Sequence, residues 1–204
     1  MGNIAIITHL LLAIIMNVGG PIQFIQQIRN RFPVFHKWNG RVFLSTAVLM
    51  SFSGLYLSFS GRVLGGPVTD KIPLGISAIL AIIFAILTLR TAIARNFKMH
   101  YRWALRLFIA VSSVFFSRIG FMLWLFIKGE GTINFEMEGS FTTFLDLAVD
   151  SAIFPLIILE LYLRSKRSEN INSKYAMAIL LLVFAIAMSI GIFAAIKGMW
   201  LSLM

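Results

Sequence analysis

Six stretches of this chain are each long and apolar enough to cross a hydrocarbon layer, which takes about 20 helical residues at 1.5 Å each. They run roughly from Ile4 to Ile28, Val42 to Phe59, Ile72 to Leu89, Leu107 to Ile127, Phe141 to Leu163 and Tyr175 to Ile196. A water-soluble core cannot hide that much apolar surface in 204 residues that are 59% hydrophobic and 13% charged, with a mean hydropathy of +0.89. Transmembrane strands would alternate apolar and polar residues, and these stretches do not. The pattern predicts an all-α, polytopic helical membrane protein with six transmembrane helices.

The opening MGNIAIITHLL has no early Lys or Arg, so the first helix is expected to stay rather than be cleaved as a signal peptide. Ile6 stands where myristoylation needs Ser or Thr. With no cysteine, the chain has no disulfide or thiolate ligand, and any metal or haem falls to His, Met or carboxylate.

Orientation follows the distribution of Lys and Arg over short loops. The first, third and fifth connections and their helix mouths hold Arg29, Arg31, Lys37 and Arg41, then Arg90, Arg95, Lys98, Arg102 and Arg106, then Arg164, Lys166, Arg167 and Lys174. Only Arg62, Lys71, Lys128 and Lys197 lie on the other side, with Arg118 inside a helix. This places the basic loops in the cytoplasm and both termini outside a cell membrane that the chain crosses several times. Residues 1–128 are expected to form a four-helix membrane core, 129–140 an outer loop rich in Gly and Glu, and 141–204 two further helices. The net charge of +10 fits basic loops against anionic headgroups of the lipid bilayer better than a nucleic-acid partner, for which no motif is present.

Within this apolar chain, PVFHKWNGR (Pro33 to Arg41) has an echo in HYRWALRLF (His100 to Phe108). Both contain Trp-x-x-Arg-x-Phe, as Trp38, Arg41 and Phe43 and as Trp103, Arg106 and Phe108, with His36 and His100 just ahead. The echo suggests that the first four helices are two repeated hairpins in parallel, which would set His36 and His100 at one depth. Trp and Arg are also ordinary anchors at a headgroup boundary. Anchoring leaves the histidines unexplained.

GGPIQFIQQIRNRFPVFHKWNGRVFL (Gly19 to Leu44), then RTAIARNFKMHYRWALRLF and the downstream Ser117-Arg118, resemble a family of bacterial predicted membrane proteins, the domain of unknown function twenty-three-oh-six. The similarity covers about the first 120 residues. It implies a polytopic fold and marks His9, Gly20, Gln23, His36, Gly40, Arg41, His100, Trp103, Arg106 and Arg118 as signature positions, without supplying an activity.

Polar residues are expensive in lipid, a charge near the centre costing at least about 2.5 to 3.5 kcal/mol, so they point to function. They sort into an outer layer of His9, Arg118, Asp146 and Asp150 and a cytoplasmic layer of Gln23, His36, Arg41, His100, Arg106 and Glu160. Arg118 and Asp150 are the natural ion pair. Gln23 follows His9 by nearly four helical turns and Arg118 follows His100 by five, so a polar seam between the first and fourth helices would bury them all. Gly19-Gly20-Pro21 should break or kink the first helix beside this seam.

Three readings follow. His36 and His100 could ligate haem b or a metal ion, with Arg41 and Arg106 on haem propionates. A small proton-linked carrier could use His9, Arg118 and Asp150 as an outer gate and His36, His100 and Glu160 as an inner one, in a homodimer. A non-catalytic assembly or lipid-interacting protein would use the charges to fix helix registry. Walker, Gly-x-Ser-x-Gly, His-Glu-x-x-His and dinucleotide motifs are absent, which leaves any enzymatic activity undefined.

Overall fold

The computed structural model describes residues 2–59, 71–128 and 145–200. Among the described residues every regular element is helical: α1 (Gly2–Ile22), α2 (Gln26–Arg31), α3 (Pro33–Phe59), α4 (Lys71–Ile93), α5 (Phe97–Val111), α6 (Ser113–Lys128), a π-helical turn (Leu145–Asp150), α7 (Ile153–Arg167), α8 (Ile171–Ala195) and a second π-helical turn (Ile196–Trp200). Two of these helices, over Ile72–Ile93 and Ile171–Gly198, are long and apolar enough to cross a membrane, and a third span arises if Phe97–Val111 and Ser113–Ile127 serve as one broken helix. The chain is a helical membrane protein. The expected outer loop at 129–140 lies outside the described residues.

Helix limits follow local chemistry. Pro33 starts α3, where its missing N–H is needed by no bond. Helix α4 is closed just past Ile93 by Arg95 in the left-handed region (φ 55°), with Asn96 N–H donating to the Thr91 carbonyl at 3.0 Å. The Asn96 side chain then accepts from Met99 N–H at 3.2 Å and caps α5. Asn170 caps α8 in the same way, accepting from Asn172 N–H at 2.9 Å.

The chain divides into two compact units, one made of Met1–Gly66 and Leu74–Ser112, the other of Pro67–Pro73 and Ser113–Met204. In the first, α3 packs on α1 and α2. Ala78, Ala81, Ala85 and Thr88 form the buried face of α4, while Ile79, Ile83, Ile86 and Leu89 are exposed. Small residues inward and large apolar residues outward are what close packing inside lipid requires. Phe84 stacks on Trp103 of α5 with centroids 5.8 Å apart.

In the second unit α6 lies against α8 and the first π-helical turn. Contact with α8 is close enough that a Cβ on Gly191 would sit 2.6 Å from the Ile119 carbonyl oxygen. Phe126 meets Phe193 edge-on at 6.4 Å, and Phe154 meets Phe184 at 6.1 Å. Elsewhere α8 is exposed nearly all round, as a helix in lipid can be.

Two expected straight helices prove to be interrupted. The expected fourth helix is split at Ser112, so the count of five turns from His100 to Arg118 does not run along one helix. The expected fifth is a π-helical turn, then Ser151 and Ala152, the latter at φ 65°, then α7. The expected first helix also breaks, where Gly19-Gly20-Pro21 pointed: α1 ends at Ile22, just before Gln23, and α2 begins at Gln26.

A polar cluster at the mouths of helices α1, α3 and α5

Past Ile22 the backbone tightens into three successive turns, with Gln23, Phe24 and Ile25 N–H groups donating to the carbonyls of Gly20, Pro21 and Ile22 at 3.0, 3.0 and 3.3 Å. Because Gln23 N–H turns to Gly20, the Gly19 carbonyl loses its usual i+4 donor. Asn39 of α3 supplies the replacement, its Nδ2 donating to Gly19 O at 2.9 Å. The approach is close: a Cβ on Gly19 would lie 3.1 Å from Asn39 Oδ1.

Gln23 completes the joint. Its amide has one orientation that satisfies all four neighbours, with Nε2 donating to His36 O at 3.2 Å and to His36 Nδ1 at 2.8 Å, and Oε1 accepting from Gly40 N–H at 3.0 Å and from Asn39 Nδ2. Asn39 thus divides its two amide protons between Gly19 and Gln23. The glutamine bridges a carbonyl and an N–H that lie one turn apart on α3.

This arrangement fixes the tautomer of His36. A ring nitrogen that accepts from an amide carries a lone pair, so in the neutral ring the proton sits on Nε2. His100 is held the other way: its Nδ1 lies 3.0 Å from the Thr88 carbonyl, which only accepts, so Nδ1 carries the proton and Nε2 the lone pair. Burial holds the His36 proton affinity below the ordinary value near 6.5, and the neighbouring His100 and Arg29 lower it further. His36 precedes the expected span at Val42. The two histidines of the sequence echo therefore come together in one unit, with opposite roles at their Nε2 atoms.

The rest of the echo is physical too. Arg41 lies over the Trp38 ring at 5.0 Å, and Arg106 over the Trp103 ring at 4.5 Å. The two phenylalanines of the pattern converge on one glycine: a Cβ on Gly20 would lie 2.6 Å from the Phe108 ring and 3.0 Å from that of Phe43. Phe24 packs edge-on against both Tyr101 and Phe108, at 6.0 and 5.7 Å.

In the other unit Asp150 is buried and its backbone carbonyl accepts from Ser113 Oγ at 3.0 Å, while Ser117 and Ser151 are buried as well. Arg118 is exposed on α6 and Glu160 is half-buried on α7. The side chains of His9 and Asp146 lie outside the described residues. Among the described residues no three of His, Asp and Glu gather as a metal site.

Sequence reasoning passed over Asn39 and Thr88. Asn39 was findable, since it lies three residues after His36 and therefore on the same helix face. Thr88 acts through its carbonyl, which no side-chain pattern reveals.

A family model of predicted membrane proteins, DUF2306, matches residues 6–163. The chain belongs to this family. The match extends well past the 120 residues that carried the resemblance and takes in most of α7, so within DUF2306 the second unit is part of the shared pattern as far as Leu163. No curated protein and no solved structure matches the chain.

Proposed function

We propose that this DUF2306 protein is a small proton-linked membrane carrier in which His36 and His100 accept and pass on protons at the cytoplasmic side. The observation that carries the reading is the opposed tautomers: Gln23 fixes a protonated Nε2 on His36, and the Thr88 carbonyl fixes a lone pair on Nε2 of His100. One ring offers a proton and the other can take it, which is the arrangement a relay needs. The reading takes six spans with both termini outside, on the strength of the Lys and Arg distribution. Arg118 and the buried Asp150 provide the outer polar layer, and a homodimer encloses the path.

Nitrogen-15 spectra of the purified protein test the tautomers directly, and proton uptake by liposomes containing the protein after an external pH jump tests the function. His36 is expected as the Nε2–H form and His100 as the Nδ1–H form, with uptake abolished by His36→Ala and by His100→Ala. Uptake no faster than in protein-free liposomes would defeat the proposal.

Haem ligation by His36 and His100 makes a different demand, since both Nε2 atoms must then carry lone pairs and the Gln23 amide must rotate to offer Oε1 to a protonated His36 Nδ1. Oxidised and reduced visible spectra decide this: a Soret band lost in the His36→Ala/His100→Ala protein would replace the carrier with a redox protein.

A further inference from the structure

Among the described residues the first unit has nine Lys and Arg and no Asp or Glu.

These charges concentrate at one end. The Phe24–Tyr101 ring contact and the influence of His100 on His36 set the α1–α3 connection beside the α4–α5 connection. Arg31, Lys37, Arg95 and Lys98 are exposed there, among the exposed apolar side chains of Phe32, Phe35, Trp38, Ile93 and Phe97. The short α2 buries no residue. Exposed cations mixed with exposed aromatic rings suit the boundary between headgroups and acyl chains.

Arg95 adds an independent sign. It occupies the left-handed position at the end of α4 (φ 55°), where glycine is at ease and a side chain is strained. A strained arginine beside Lys98 fits a site where the guanidinium is wanted for what it binds.

We propose that this end of the first unit is a binding surface for anionic phospholipid headgroups, in which Arg31, Lys37, Arg95 and Lys98 hold lipid phosphates and the aromatic residues sit at the acyl boundary. The partner is the anionic leaflet itself, whose phosphates carry the charge complementary to these four exposed cations.

The test compares thermal midpoints of the full chain in nanodiscs of phosphatidylcholine alone and in equal parts phosphatidylcholine and phosphatidylglycerol. The wild type is expected to melt higher in the anionic discs, by a gap that narrows with salt. The Arg31→Gln/Lys37→Gln/Lys98→Gln protein should bind phosphatidylglycerol roughly a hundredfold more weakly, at about fivefold per cation, and lose most of the gap. Arg95→Gly should separate the two effects, raising the midpoint in phosphatidylcholine while narrowing the gap. Should the triple variant fail to fold, Arg95→Gly still decides the matter, because relief of strain alone raises both midpoints equally. An undiminished gap in Arg95→Gly and in the triple variant overturns the proposal. So does inorganic phosphate, if adding it to phosphatidylcholine discs reproduces the anionic-lipid effect.

Discussion

The two compact units solve the problem of polar groups in an apolar chain in different ways. The described part of the first carries cations and no carboxylate, turns most of those cations outward, and inside it pairs neutral groups: the Gln23 amide, Asn39, His36 and the Gly19 carbonyl. The second buries a carboxylate, Asp150, among serines at the end of a π-helical turn. Neutral amides satisfy one another without the desolvation that a buried charge must overcome, so the first unit can hold a fixed polar joint where the second must balance charge. The difference teaches that the described part of the first unit meets its polar needs with neutral groups, while the second also buries a carboxylate.

The largest effect should fall in the second unit. Gly191→Ala drives a Cβ against the Ile119 backbone carbonyl, which cannot turn aside, and should cost about 3 kcal/mol of stability in detergent denaturation. Gly20→Ala meets the rings of Phe108 and Phe43, which can pivot, and should cost about 1 kcal/mol. Equal losses would mean that the polar joint is packed as rigidly as the α6–α8 contact.

Next comes the joint itself. Gln23→Leu leaves the Asn39 amide, the His36 carbonyl and His36 Nδ1 short of partners at once, and should cost about 2 kcal/mol. Nitrogen-15 spectra of the same variant should show His36 released from its single tautomer. Asn39→Ala, which strips the cap from the Gly19 carbonyl, should cost about 0.6 kcal/mol.

Stability should also depend on pH through His36. Its proton affinity is lowered in the folded state, so the unfolded chain takes up the proton first as acid is added. The contribution is complete above the ordinary value near 6.5 and is lost as the pH falls through the lowered folded value. Denaturation midpoints across that range should fall with acid in the wild type and flatten in His36→Asn. Gln23→Glu should oppose the trend, because a carboxylate beside Nδ1 favours the charged ring.

The smallest effect is a gain. Arg95→Gly relieves a left-handed residue and should add about 1 kcal/mol to stability in uncharged detergent. A loss instead would show that Arg95 supports the first unit from within.

Much of this was legible beforehand. The apolar stretches named the chain as helical and membrane-spanning, and the Trp-x-x-Arg-x-Phe echo picked out residues that do form matching cation–π pairs and a shared contact on Gly20. Interruptions of the helices were less visible. Ser112 and Ala152 are unremarkable in sequence, whereas Gly19-Gly20-Pro21 did announce its break, since α1 ends one residue later, at Ile22. A proline near the end of a helix removes a bond that the last turn can do without or replace. The turns after it are held by an asparagine from another helix.

By itself, the sequence determined that this chain is a helical membrane protein and that its histidines, arginines and tryptophans recur as a pair, because hydropathy and spacing are properties of the chain alone. Only the tertiary structure decided that Gln23 accepts from Asn39 while donating to His36, and that Thr88 sets the opposite tautomer on His100. A proton's place on an imidazole depends on which atoms of distant residues face each nitrogen, and folding alone brings those atoms there.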